Sequence, residues 1–503
     1  MEKFLLGIDI GTSACKVAMF DLQGKVISQA AREYKVYYPH LGFVEQNPNE
    51  WWECVCLAIK ETIVSSKINA KQIAGIGVDG QSWSAIPINA KGDVLSNTPI
   101  WMDTRASDIC KETVNRVGND RIFRLCGNSF EPTYSTPKIL WFKKNMPDVY
   151  NSTYKFLQSN SFIVYKLTRH TSQDLSQGYG VHSFNMKEGK WEDSFCEELG
   201  FDREKLPDIY QCHHIIGEVT SEAADQTGLI KGIPVVAGGL DASCGTLGAG
   251  VLKVGQTQEQ GGQAGGMSIC LDSSIGHPKL ILSFHVVPNL WLLQGGTVGG
   301  GGAIKWFKQE FGAFEEFEAR EKGVSPFKIM DEEAEKIPVG SDGLIFLPYM
   351  AGERSPLWDK NAKGVFFGLG YEKTRAHMIR AVMEGCAFAL QHNIKTAEKI
   401  GVGINELVAI GGAANSRIWT QIKADITGKT IKVPTSDTAT TLGAAILAGV
   451  GTGLYKSFEQ AVEDTIEITR THQPDMQAHT RYKNNYDIYI ELYEKLKDTM
   501  QKV

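Results

Sequence analysis

Asp9 ends the apolar run Leu5-Leu6-Gly7-Ile8 and is followed by Ile10-Gly11-Thr12-Ser13. These groups suit a phosphate chain and its cation. Backbone N–H groups and hydroxyls of a tight turn can face phosphate oxygens. A carboxylate at the strand end can hold Mg²⁺, through water, because that ion dehydrates reluctantly. An ordinary hairpin with a charged residue at its mouth would show the same residues. A second carboxylate, Asp241, follows the apolar stretch Pro234-Val235-Val236-Ala237 and the glycines Gly238 and Gly239. It should project into a cleft, where it could take a proton from a hydroxyl; the plainer role is an N-cap for the helix that follows. Further glycine pairs come after apolar stretches at Gly261-Gly262 and Gly411-Gly412. A backbone without Cβ can lie close to a nucleotide. None of these turns fits the Walker or dinucleotide pattern. Phosphoryl transfer to a hydroxyl needs an in-line nucleophile, a metal on the phosphates and a nearby base, and Asp9 and Asp241 together offer the last two. Gly80-Gln81-Ser82-Trp83-Ser84 and Trp101-Met102-Asp103-Thr104-Arg105 place hydrogen-bonding groups beside aromatic faces, as polyol recognition requires. Core packing is the alternative for either Trp.

Positioning these groups falls to a recognisable run of elements. Phe4–Ile10, Cys15–Asp21 and Val26–Glu33 read as strands joined by turns at Gly11-Thr12-Ser13 and Gln23-Gly24-Lys25. Asn47 reads as a helix N-cap with Pro48 at the first helical position, and Trp52, Val55, Cys56, Ile59 and Ile63 follow at helical spacing. Ile73–Val78 is another strand, and this β-β-β-α-β order predicts a mixed sheet covered by helices. Residues 103–228 read as helices and loops added to that unit. Ile233–Gly238 reads as a buried strand. The second half starts afresh with a hairpin, Ile281–His285 and Leu290–Gln294, a glycine-rich turn, and a helix from Ala303. A strand at Leu407–Ile410, helices at Ser416–Ile426 and Gly443–Gly449, and an amphipathic closing helix from Tyr482 complete the reading. Glycine-rich strand ends in both halves suggest two related domains facing a cleft, with a boundary near Val254.

At 503 residues the chain exceeds one core. Its 42% hydrophobic and 22% charged residues are those of a soluble globular protein. The net charge of −6 argues against a general nucleic-acid binder. No apolar run is long enough to span a membrane, and the N-terminus runs into a strand without the features of a signal peptide, so a cytoplasmic location is expected. The 10 cysteines show no zinc spacing. Most should be buried small apolar residues, and Cys212-His213-His214 reads as a polar surface turn.

Taken together, these motifs resemble the FGGY carbohydrate kinases, and within them the xylulokinase-like branch. Gly364-Val365-Phe366-Phe367-Gly368-Leu369, with His377 through Gly385, is similar to the family's C-terminal signature, and Ser135 through Asn145 to its N-terminal one. Gly352-Glu353-Arg354-Ser355-Pro356 and Gly411 through Ser416 match as well. The resemblance implies an α/β chain of two ribonuclease-H-like, actin-type domains with an interdomain catalytic cleft: residues 1–253 for the sugar and the base, residues 254–503 for ATP. It implies Asp241 as the base and Asp9 as the residue holding Mg²⁺. Gly11, Thr12, Ser13, Gly262 and Gln263 would approach the phosphates, and Gly411, Gly412 and Asn415 would flank adenosine. Gln81, Ser82, Trp83, Asp103 and Asp241 would line the sugar. Three departures stand out. Gln81-Ser82-Trp83-Ser84 replaces the usual Gln-Met-His-Gly, Asp241-Ala242 an Asp-Asn or Asp-Gln pair, and Gly262-Gln263-Ala264-Gly265 the usual Gly-Thr-Ser-Gly. The expected partners are ATP and a small sugar, with a ketopentose such as xylulose as acceptor and gluconate or another ketose as the alternative. Ser355-Pro356-Leu357-Trp358 is similar to the gluconate-kinase form of that loop. A non-catalytic sugar or nucleotide sensor is the rival from another class. A homodimer is the default assembly.

Overall fold

The computed structural model describes residues 2–435 and 438–503. In the first half, β1 (Phe4–Ile10), β2 (Ala14–Phe20) and β3 (Val26–Glu33) form an antiparallel meander. Helix α1 (Pro48–Ser66) crosses to β4 (Ile73–Gly80), which pairs parallel to β1. Asn47 caps α1 by accepting the Asn49 N–H, and Pro48 takes the first turn, where its missing N–H costs nothing. Trp51, Trp52, Val55, Cys56 and Ile59 lie on the buried face of α1, packed with the apolar residues of β1, β2 and β4. Each large apolar side chain so buried contributes roughly 1.5–3 kcal/mol. Beyond β4 come β5 (Ile215–Glu218) and β6 (Pro234–Val236), giving the order β5-β6-β4-β1-β2-β3. The strand expected over 233–238 is shorter than its apolar pattern. It breaks at Gly238, which has φ +77, and pairing resumes as β7 (Gly239–Leu240) beside β4. Helix α2 (Asp241–Gly248) follows directly.

The second half repeats this plan. Its sheet comprises β8 (Gln256–Gly261), β9 (Gly265–Leu271), β10 (Ile281–Phe284), β11 (Trp291–Thr297), β12 (Glu406–Ile410), β13 (Thr430–Pro434) and β14 (Ile468–His472). The order is β10-β11-β9-β8-β12-β13-β14. As in the first half, the first strand is central, with antiparallel neighbours on one side and parallel β12 and β13 on the other. Helix α3 (Gly301–Phe311) starts two residues ahead of the sequence reading. The closing helix starts earlier still, at Met476, because Asp475 caps it through the N–H groups of Gln477 and Ala478. Two related α/β layers of this kind are the ribonuclease-H-like, actin-type fold. Among the described residues no helix is long and apolar enough to cross a membrane. Nine of the ten cysteines are buried, Cys212 among them, so only the following two histidines give its turn a polar surface.

The halves are joined by backbone contact. Helix α4 (Ala439–Gly451), late in the chain, packs on β1, β4 and α2 of the first half. A Cβ on Gly77 of β4 would lie 1.8 Å from the Ala444 carbonyl oxygen, and one on Gly443 would lie 1.9 Å from that of Cys244. Only hydrogen fits at either point. Gly77→Ala is therefore expected to destabilise the protein by about 2 kcal/mol or more, as overpacking does. Urea unfolding checks this; an unchanged midpoint would show that the helix can retreat freely.

Candidate active site

Parallel pairing of β1 and β4 sets Asp9 opposite Asp79, and pairing of β7 with β4 sets Gly239 opposite the same Asp79. Asp241, the first residue of α2, comes two positions later. Three carboxylates thus converge at one edge of the sheet. Asp79 went unremarked in the sequence, although Gly77-Val78-Asp79-Gly80 repeats the pattern of Gly7-Ile8-Asp9-Ile10-Gly11. It is fully buried, and apart from the Asp9 carboxyl, with which it shares a hydrogen bond once one of the two is protonated, its oxygens have no partner among the described residues. Burial pushes Asp79 well above the ordinary carboxylate range, and the Asp9 and Asp241 charges push it further. Asp9 is also raised by burial, against the opposing pull of Lys16, whose Nζ is 3.8 Å from Oδ2. Asp241 is raised to about 7, chiefly by burial and then by Asp9; its Oδ1 accepts the Ala242 N–H at 2.6 Å. Like charges this close resist joint ionisation.

Above the carboxylates lies a cavity of ≈ 290 Å³ between the halves. The first half supplies Thr12, Gln81, Ser82, Trp83, Trp101, Tyr179 and Asp241; the second supplies Gln258, Gln260, Gln294 and Arg354 along with small residues from Ala264 onward. The wall carries unpaired polar atoms. Gln81 Oε1, Trp83 Nε1, Gln258 Nε2 and Gln294 Nε2 are buried without partners. An apolar cavity would cost less, so unpaired donors and acceptors contributed by both halves suit a polar ligand. Tyr179 and the three glutamines of the second half were not singled out in the sequence, since a lone Gln or Tyr in a strand or loop carries no periodic signal.

Trp83 is held in an unusual backbone state, with φ +63. Its ring stacks on Tyr134, with centroids 4.2 Å apart, and meets Tyr179 edge-on. Lys138 fixes the frame. It is fully buried, and its ammonium donates to the Trp83 and Ile100 carbonyls, both at 2.8 Å, and to that of Thr133 at 2.5 Å. One cation thereby ties together the loops that carry Trp83, Trp101 and Tyr134. Burial brings Lys138 down to about 7.

Asp103 is not brought to the cavity. It is fully buried beneath it, where Oδ2 accepts the Val44 N–H at 2.6 Å and both oxygens accept Arg105 Nε. Arg105 also pairs with Glu45 at 2.8 Å and lies over the Phe43 ring. The pair braces the loop that carries Trp101, whose indole N–H donates to Thr12 Oγ1 at 2.9 Å.

The glycine turns gather at the cavity's upper side. Gly11 N donates to the Ala14 carbonyl, closing the tight turn, and Ser13 is exposed at its tip. Gly262, Gln263 and Ala264 sit against the start of α3, where the Gly262 and Gln263 carbonyls accept the N–H groups of Gly301 and Gly302. Gly411, with φ +83, lies against Gly261, so the turns after β8 and β12 meet. Gly412 and Asn415 face open space beyond them. Gly262, Gln263, Gly411, Gly412 and Asn415 therefore form a shelf next to the cavity, outside its wall.

Residues 4–248 match the FGGY family of carbohydrate kinases, N-terminal domain, and residues 280–452 match the C-terminal domain of the same family. The chain belongs to the FGGY carbohydrate kinases. It is 30% identical over 512 residues to a xylulose kinase of Bacillus subtilis, covering 99% of this chain and 98% of that protein. Among solved structures, a ligand-bound xylulose kinase from Lactobacillus acidophilus superposes with a TM-score of 0.89 at 25% identity, covering 99% of each chain. A gluconate kinase from the same organism gives 0.89 and 25%, covering 100% of each. As a member of this family the chain is a sugar kinase that uses ATP. For the cation of such a kinase, the carboxylates of Asp9 and Asp79 are suitable hard oxygen donors. Among the described residues no group of three or more His, Cys, Asp or Glu side chains cages an ion.

Proposed function

We propose that this FGGY kinase transfers the γ-phosphoryl group of ATP to a terminal hydroxyl of a small open-chain sugar, a ketopentose of the xylulose type, with Asp241 as general base. The observation that carries the reading is Asp241 itself: a carboxylate on the wall of the polar cavity, raised to about 7, at the edge shared with Asp9. A base poised near neutral pH combines the ionised form with useful basicity. Asp241 Oδ2 is free to accept the acceptor hydroxyl's proton while Oδ1 is fixed by the Ala242 N–H. The Trp83 and Trp101 rings would cover the carbon chain, and Gln81, Ser82, Gln258 and Gln294 would pair with its hydroxyls. Mg²⁺, bound near Asp9, would supply charge neutralisation at the phosphates. The turn Gly11–Ser13 and the shelf Gly262–Gln263 and Gly411–Asn415 would hold the nucleotide. Enclosure of the cavity between the halves would keep water from competing for the phosphoryl group.

A second acceptor, a sugar acid such as gluconate, is favoured by one observation, the Arg354 guanidinium on the cavity wall. A panel of D-xylulose, L-xylulose, D-ribulose and gluconate with Mg²⁺-ATP, read by ADP release, is expected to show turnover with a ketopentose at the highest kcat/KM. Preferred turnover of gluconate would move the assignment to the second acceptor, and ADP release with none of them would defeat both.

Asp241→Ala is expected to lower kcat by roughly 10²–10⁴-fold while ATP still binds and the unfolding midpoint holds. Near-wild-type turnover would refute the base assignment. Because the ionised carboxylate is the active form, kcat/KM for Mg²⁺-ATP, which reports the enzyme before the cation binds, should fall about tenfold per pH unit below about 7 and level off above it. A flat profile from pH 5.5 to 8 would contradict the role.

A further inference from the structure

Arg354, half-buried on the cavity wall, lacks the ion pair that two other arginines with enclosed side chains make. Arg105 pairs with Glu45 and Asp103, both at 2.8 Å, and Arg380 pairs with Glu384, also at 2.8 Å. Among the described residues no carboxylate lies within ion-pair distance of Arg354. Its sequence neighbour Glu353 is turned away, accepting the backbone N–H groups of Val298 and Arg354 through Oε1. Among the described residues the one acceptor at the guanidinium is neutral, the Thr297 carbonyl, 3.2 Å from Nη2. The rest of the fork lies against the Trp101 ring, 5.8 Å from its centroid, and over Gly296, where a Cβ would come within 3.0 Å of Cζ. Burial pulls Arg354 below its ordinary range, the sign of a cation held largely out of water. The neighbouring Glu353 charge offsets this in part, but no carboxylate pairs directly with the guanidinium, and a largely desolvated cation without a direct partner is costly unless a ligand completes it. Its planar fork matches a two-oxygen anion.

We infer that Arg354 is an oxyanion-binding residue of the cleft, completed by either the carboxylate of a sugar-acid acceptor or the phosphoryl group being transferred. The inference rests on the proposed kinase reading for what enters the cleft, but its test needs no turnover. The chemistry is shared by the two sources, and position alone does not separate them. Arg354 shares the acceptor cavity with Asp241, yet through Trp101 it also adjoins Thr12 of the phosphate-facing turn.

Two affinity ratios decide, measured at equilibrium on the folded full chain by calorimetry. The first is gluconate against sorbitol, a matched pair differing in the carboxylate. The second is ATP against ADP, both with Mg²⁺. Loss of a charge-assisted contact should change the relevant ratio by roughly 10–100-fold. If the carboxylate is the ligand, Arg354→Met lowers the gluconate-to-sorbitol ratio by that amount and Arg354→Lys only partly. If the phosphoryl group is the ligand, the same variants lower the ATP-to-ADP ratio instead. If both ratios stay within twofold of the wild-type values, the inference is overturned, even where overall affinity drops, since a uniform loss marks a structural brace. Absence of phosphorylation with every sugar would defeat the kinase reading and leave these ratios to judge Arg354 separately.

Discussion

The active cleft depends on the crowding of Asp9, Asp79 and Asp241 at the edge of one sheet. Parallel pairing leaves no freedom here: once β1, β4 and β7 are in register, their carboxylates meet. Burial makes each charge expensive and proximity makes each neighbour's charge more so. Such an edge would favour a cation, and burial, with the Asp9 charge added, raises Asp241 to about 7. Lys16, 3.8 Å from Asp9 and largely exposed, is too well solvated to offset the burial.

The opposite wall must approach this edge closely enough to enclose a small molecule. The architecture secures that at the backbone level. Helix α4 lies against β1 and β4 at points where only a glycine hydrogen fits, so the second half is seated on the first close to the strands that carry Asp9 and Asp79. The cavity between them is polar yet incompletely paired. Gln81, Trp83, Gln258 and Gln294 keep donors or acceptors in reserve, while Lys138 and the Asp103–Arg105 pair spend theirs on holding loops in place. Binding groups and bracing groups are thus distinguished by whether their hydrogen bonds are already made.

That distinction explains which parts were legible in the sequence. Strands β1 to β4 of the first half and the Asn47 cap followed from apolar pattern and turn chemistry, because both are local, whereas β8, the polar first strand of the second half, carried no such pattern. Asp9 and Asp241 stood out because glycines flank them after apolar runs. Asp103 looked equally suitable beside Trp101, but its carboxylate is consumed by Val44 and Arg105, partners brought together only by the fold. Asp79 had the same local signal as Asp9 and was legible in principle. Gln258, Gln294 and Tyr179 were not, because their role comes from facing the first half across a cavity. The start of the closing helix depended on one capping residue, Asp475, ahead of the amphipathic pattern.

The central claim is that the carboxylate edge carries protons until the cation and phosphates arrive. Calorimetric titration of the protein with Mg²⁺-ATP at pH 6.5, in buffers of different ionisation heat, tests it directly by counting protons. The account predicts a net release of protons, because a cation beside Asp9 favours the ionised form of carboxylates that burial holds protonated. Binding with no proton release, or with uptake, would contradict it.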